Sequence, residues 1–182
     1  MKIQEKTIIG IIPARWGSKR VPKKNIKLFK GKPLIYYTIN EAHKSKYFDD
    51  IFVSTDSKEI ADIAIGYGAK VIDRPSRYAQ DHSPSVDVVI HALTIQKADI
   101  VVLLQPTSPM RTAQDIDSAI SLFLKENPES LFSVTRKGPN GAIYISTPDV
   151  LRRYRSFYTK RMAGYMMPPE RSLDIDIIED FK

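Results

Sequence analysis

"TIIGIIPARWGSKRVPKKN" runs from Thr7 to Asn25, and its first half fixes the class of fold. Ile8, Ile9, Ile11 and Ile12 form an apolar run with no polar alternation, the pattern of a parallel strand covered on both faces. The chain then leaves this strand at Pro13 and carries Arg15, Lys19, Arg20, Lys23, Lys24, Lys27, Lys30 and Lys32, with no acid before Lys32. A basic segment of this kind is either a solvated arm or one wall of a site for a strong anion.

Outward from this stretch, strand-like and helix-like segments alternate. "DIFVSTD" (Asp50–Asp56), "AKVID" (Ala69–Asp73), "DIVVLLQP" (Asp99–Pro106) and "LFSVT" (Leu131–Thr135) are short, β-branched and apolar. Between them lie helical patterns with start signals. Pro33 opens "PLIYYTINEAHKS", and Asp56 with Glu59 makes a capping-box pattern ahead of "KEIADIAIGYG". Ser85 is placed to cap "VDVVIHAL", and Thr112 with Asp115 to cap "AQDIDSAISLFLKE". This order predicts a doubly wound α/β sheet whose ligands sit beyond the carboxyl ends of the strands, where the basic loop emerges. After Thr135 the rhythm changes: "NGAIYIS" reads as a strand, "TPDVLRRY" as a short helix and "RMAGYMMP" as strand-like, with no internal repeat.

The chain has 182 residues, enough for one domain with a sizeable core, 1–182. Its 28 Lys and Arg stand against 21 Asp and Glu. Without the eight bases of the opening loop, 20 remain against 21 acids, so the basicity is local and suits a small anionic ligand better than nucleic acid. The absence of cysteine excludes disulfides and thiolate metal sites and fits a cytoplasmic protein. No apolar run reaches the roughly 20 residues of a membrane span, and the start does not read as a signal peptide.

Four stretches carry chemistry. The loop lacks both standard glycine-rich phosphate motifs, but Arg15 suits bidentate phosphate contact and Lys19 a point charge. Gly17 and Ser18 offer N–H groups and a hydroxyl in a turn. In "RPSRYAQDHSPSVD", Arg74, Ser83 and Ser85 read on their own first as a polar loop capping the next helix, and second as partners for the polar edge of a pyrimidine. "LLQPTSPMRT" sends Gln105 off a buried strand toward the ligand end, although Thr107–Thr112 also reads as a proline-bounded turn. "SLDID" spaces Asp174 and Asp176 about 7 Å apart on one face of an extended segment, with Leu173 and Ile175 on the other. Paired carboxylates beside a phosphate loop suit Mg²⁺; the alternative is a solvated edge. Arg171 stands near Glu170 and Asp174 as candidate partners. His43, His82 and His91 have no metal spacing.

The loop resembles the signature of the sugar-activating cytidylyltransferases, above all the CMP-acylneuraminate synthetases, approximately I-I-P-A-R-G-G-S-K-R-[IL]-P-x-K-N. Trp16 stands where glycine is usual. The likeness continues through "PLIYYTI", "FVSTD", "RPSRYAQDHSPSVDVVIHAL", "LLQPTSPMRT", "NGAIYI" and "ERSLDID". The resemblance implies a Rossmann-like, nucleotide-diphospho-sugar transferase fold. It also implies transfer of CMP from CTP to the anomeric hydroxyl of an acidic nine-carbon sugar. It places Arg15, Ser18, Lys19, Lys24 and Asn25 on the nucleotide and its phosphates, and Arg74, Ser83 and Ser85 around cytosine and ribose. Gln105, Thr107, Ser108, Arg111 and Asn140 fall to the sugar; Arg171, read from its own place in the chain, is a further candidate for the sugar's carboxylate. Asp174 and Asp176 take Mg²⁺, and Arg15, Lys19 and Asp176 are the catalytic set. The related KDO-activating enzymes carry a diverging loop, R-[YF]-x-S-[TS]-R-[LF]-P, so Lys19 and "KKN" favour the acylneuraminate branch.

One departure stands out. The family carries a longer excursion between "SVTR" and "NGAIY" that contributes to the sugar site and to a homodimer, whereas only Lys137, Gly138 and Pro139 lie there in this chain. The rival readings are a KDO or sugar-phosphate nucleotidyltransferase of the same fold, and a non-catalytic RNA-binding module with bases interleaved among exposed aromatics.

Overall fold

The structure is a computed structural model and describes residues 6–182; the first five residues, part of the start discussed above, lie outside that range. Strand β1 (Ile8–Pro13) pairs in parallel with β4 (Asp50–Thr55) on one side and β6 (Ile100–Leu104) on the other. Its apolar run is explained by two covered faces. Ile8 and Ile12 join the core that packs under α1 (Leu34–Lys44), α2 (Lys58–Gly66) and α4 (Ala113–Glu126). Ile9 and Ile11 join the core under α3 (Ser85–Ile95) and α5 (Pro148–Tyr154). Strand β6 divides the same way, Ile100, Val102 and Leu104 against Val101 and Leu103.

The seven-stranded sheet has the order β5-β4-β1-β6-β8-β7-β9, with β5 Lys70–Asp73, β7 Ser130–Thr135, β8 Gly138–Ser146 and β9 Met162–Met166. The expected doubly wound, mostly parallel α/β sheet is what forms. Only β8 runs antiparallel to its neighbours, because Arg136 and Lys137 alone join it to β7 in a tight hairpin. The chain visits β4 and β5 on one flank of β1, then returns to β6 on the other, which makes the carboxyl ends of β1 and β6 a topological switch point.

The basic loop contains a small hairpin that carries no sequence period. Strands β2 (Leu28–Phe29) and β3 (Lys32–Pro33) are joined by Lys30 and Gly31, both at positive φ, the geometry of a two-residue primed turn.

Two helix starts differ from expectation. Ser57, not Asp56, caps α2, taking the N–H of Ile60 at 3.3 Å, and no Asp56–Glu59 box forms. Ser85 sits one residue inside α3 and caps nothing. The Thr112–Asp115 capping box does form at α4.

Candidate active site

Beyond the carboxyl ends of β1 and β6 lies a cleft of about 340 Å³. Pro13 and Gln105, at the ends of those two strands, form its floor, and the basic loop forms one wall. The eight bases of the loop divide in two. Arg15, Lys19, Arg20 and Lys24 line the cleft. Lys23, Lys27, Lys30 and Lys32 stand instead over the rings of Trp16, Phe181, Phe29 and Tyr36, at 4.7–5.6 Å. Phe29 is buried and the other three rings are half-buried, so these lysines cover aromatic surface.

Within the cleft the bases converge on two carboxylates. Arg15 and Lys19 meet Asp81 at 2.6 and 2.7 Å. Their hydrogen bonds hold the Asp81 carboxyl below the usual aspartate range. Arg20 pairs with Asp176, and Lys24 approaches the same carboxylate at 3.5 Å and the Ile175 carbonyl at 3.2 Å. Burial lowers the Lys24 ammonium from its ordinary value, against the pull of nearby Asp174.

The remaining residues of the loop shape it. Asn25 donates to the Arg15 carbonyl at 3.0 Å, and Ser18 Oγ accepts the Val21 N–H at 3.3 Å. Asp56 accepts the Trp16 N–H at 2.8 Å, so the carboxylate that failed to cap α2 pins the loop to the end of β4.

Opposite the loop, Arg74 is buried and donates to the carbonyls of Ser54 and Tyr78, and burial lowers its pKa to about 10. Its Nε has no partner. Ser83 closes a turn by accepting the Gln80 N–H and donating to the Arg77 carbonyl, while Ser85 Oγ accepts from Gln105 Nε2 at 3.1 Å. Arg74, Ser83, Ser85, Gln105 and Thr107 all reach the cleft.

Three expected residues are placed elsewhere. Ser108 is buried with its hydroxyl unpartnered and does not line the cleft. Arg111 is buried beneath it, donating to the carbonyls of Gln105 and Ala142 and to Thr38 Oγ at 2.7–3.2 Å, with its pKa lowered to about 9 by burial. It holds the end of β6 against β8 and α1 and faces no ligand space. Arg171 pairs with neither Glu170 nor Asp174: it makes two 2.9 Å bonds to buried Asp115.

Asn140 lines a second, larger cavity of about 1060 Å³, with Tyr144, Tyr158, Met166 and Asp174. A cavity of about 290 Å³ shares Ser85 and Gln105 with the first, and Tyr144 and Tyr158 with the second. The expected shared face of Asp174 and Asp176 does not form: no strand runs through 172–176, and Asp176 faces the first cavity while Asp174 faces the second. Ile175 is fully buried with Phe29, Leu34 and Phe181, whereas Leu173 is 36% exposed and anchors nothing. Among the described residues no three His, Asp or Glu side chains gather into a metal cluster. Asp176, in the basic cleft, is nevertheless an oxygen donor of the kind Mg²⁺ takes when substrate phosphates and water complete its shell.

Sequence reasoning missed Asp81, Tyr78 and Gln80 in the cleft, and read Arg20 only as one of the loop's bases. The signal for Asp81 was present only as a deficit: eight bases without an acid call for a counter-ion from elsewhere.

The fold is a doubly wound α/β sheet with a basic cleft at its switch point. The cytidylyltransferase family model matches residues 9–167, and the chain belongs to that family. It is 36% identical to an N-acylneuraminate cytidylyltransferase of Streptococcus agalactiae over 95% of this chain and 51% of that protein. It is 34% identical to a CMP-N,N'-diacetyllegionaminic acid synthase of Legionella pneumophila, over 93% of this chain and 90% of that one. The chain thus spans about half the length of the N-acylneuraminate cytidylyltransferase. In fold it superposes on a CMP:2-keto-3-deoxy-manno-octonic acid synthetase complexed with CTP, with a TM-score of 0.78 at 18% identity, covering 95% of this chain and 94% of that one.

Proposed function

We propose that this chain transfers CMP from CTP to the anomeric hydroxyl of an acidic nine-carbon sugar, N-acetylneuraminate or a related nonulosonic acid, releasing pyrophosphate. The observation that carries this reading is the convergence of Arg15, Lys19, Lys24 and Asp176 on one cleft at the switch point of a cytidylyltransferase chain. Arg15, Lys19 and Lys24 would neutralise the triphosphate; Arg74, Ser83 and Ser85 would receive cytidine. Gln105 and the adjoining cavity with Asn140 would receive the sugar. Catalysis in this arrangement is positioning and charge neutralisation, with little covalent work for the protein.

Asp176 would hold Mg²⁺ from the first cavity; Asp174, its expected partner, would have to reach the ion from the second. When bound, the ion would supply further neutralisation of charge at the α-phosphate. The reading places the reaction in the cytoplasm; among the described residues no helix is long and apolar enough to cross a membrane. A homodimer would have to form without the family's excursion, since Arg136 and Lys137 alone join β7 to β8.

The test is pyrophosphate release from CTP with N-acetylneuraminate, legionaminate and KDO as competing acceptors, in the wild type and in Asp176→Ala. Release with a nine-carbon acceptor, lost in the variant, supports the reading. Release with KDO alone replaces the acceptor, and unchanged turnover in Asp176→Ala removes that residue from the site.

A further inference from the structure

We infer that Asp81 is a built-in counter-ion of the polyphosphate site, holding Arg15 and Lys19 until a ligand with β- or γ-phosphate charge displaces it. The inference rests on the proposed CTP reading and adds a residue that sets selectivity for charge.

Three observations carry it. First, one carboxylate takes both cations: Asp81 Oδ1 lies 2.6 Å from Arg15 and Oδ2 lies 2.7 Å from Lys19. The same two oxygens therefore occupy the donors that phosphate oxygens would use.

Second, Asp81 comes from the opposite wall, 66 residues along the chain from Arg15. The loop between β5 and α3 brings it there through a turn built for the purpose. The Gln80 N–H donates to Ser83 Oγ and the Ser83 N–H to the Gln80 carbonyl, both at 3.1 Å, and Ser83 Oγ donates to the Arg77 carbonyl at 3.2 Å. Asp81 is thus placed in the cleft by its own local scaffold, independent of the bases it meets.

Third, the contact is accessible and so exchangeable. The side chains of Arg15, Lys19 and Asp81 are 31%, 83% and 38% exposed. Ion pairs at such exposure are weak, and a triphosphate with several charges competes well for the same partners. Arg20, Lys24 and Asp176 form a separate pairing beside it, so displacement of Asp81 need not dismantle the rest of the cleft.

Two consequences follow. Ligands that reach Arg15 and Lys19 bind net of displacing Asp81, while ligands confined to the cytidine side escape that penalty. After pyrophosphate forms, the returning carboxylate competes with it for Arg15 and Lys19 and speeds its departure.

Calorimetric titrations of cytidine, CTP and inorganic pyrophosphate into the wild type, Asp81→Asn and Asp81→Glu, at one ionic strength, test this. Asp81→Asn should bind CTP and pyrophosphate more tightly, by about threefold to tenfold if each exposed pair has an ordinary strength. Cytidine affinity should not change, and Asp81→Glu should stay near wild type. Equal or weaker pyrophosphate binding by Asp81→Asn overturns the counter-ion, whatever CTP does. If instead pyrophosphate tightens while neither protein binds CTP or cytidine, the counter-ion stands and the cytidylyltransferase reading falls.

Discussion

The backbone N–H of Ile175 donates to the carbonyl of Thr107 at 2.8 Å, joining the segment after β9 to the loop that leaves β6. This single bond, with the burial of the Ile175 side chain among Phe29, Leu34 and Phe181, explains how an aspartate late in the sequence comes to face a loop that follows the first strand. Asp176 is positioned by its neighbour's packing, and then by Arg20, Lys24 and its own N–H bond to Asp180 at 2.7 Å.

Truncating that anchor should uncouple the site. Ile175→Ala is expected to cost about 2–4 kcal/mol if the pocket stays open, the range for a fully buried aliphatic side chain. Hydrogen exchange should rise over 173–181, and CTP affinity should fall together with it. Leu173→Ala, at a 36% exposed position, should change stability by less than about 0.5 kcal/mol. Denaturant unfolding of the two variants in parallel makes the comparison.

Asp115 should give the fold an acid-labile element. Burial pushes its carboxyl up, but bonds from Arg171, from the N–H and hydroxyl of Thr112 and from Tyr165 outweigh burial and leave it below the ordinary aspartate range. A depressed carboxyl stabilises the fold fully above its unfolded value, about pH 4, and loses that contribution as pH falls through the folded value. Asp115→Asn should therefore cost about 2–3 kcal/mol at pH 7, discounted because Arg171 is a third exposed. The gap from wild type should shrink toward pH 3 in urea titrations.

The buried guanidinium of Arg111 serves the same architecture from the other side. Arg111→Met should destabilise by about 3 kcal/mol, because the carbonyls of Gln105 and Ala142 and the Thr38 hydroxyl lose a charged donor without access to water. Thermal unfolding in the absence of nucleotide reads this as a structural loss, separate from any effect on ligand.

What could be read from the sequence followed the range of the interactions. The central strands were visible because two covered faces demand continuous apolar residues, as Ile8–Ile12 and Ile100–Leu104 show. The Thr112–Asp115 box was visible because its partners are three residues apart. Asp56 matched the same local pattern and failed: Ser57 beside it takes the cap, and Asp56 meets the Trp16 N–H, forty residues away. The hairpin at Lys30–Gly31 has strands of two residues, too short for any period. Arg171 had two acids within three residues and pairs instead with Asp115, brought near by α4 and β9. Asp81 is the same case within the site, one acid among 21 with nothing local to mark it.

The division of the eight loop bases yields the sharpest contrast in function. Changing Arg15, Lys19, Arg20 and Lys24 together to Gln removes the charges that line the cleft. With charged hydrogen bonds worth about 1.5–3 kcal/mol each, CTP affinity should fall at least 100-fold. Changing Lys23, Lys27, Lys30 and Lys32 instead removes charges that stand over aromatic rings outside the cleft. At physiological salt, screening over about 8 Å should limit their effect on CTP affinity to about threefold or less. Their loss should appear instead as a small decrease in stability, about 0.5–1 kcal/mol per exposed cation–π contact. If the outer four weakened CTP as strongly as the inner four, the nucleotide would lie on the aromatic face and not beyond the ends of β1 and β6.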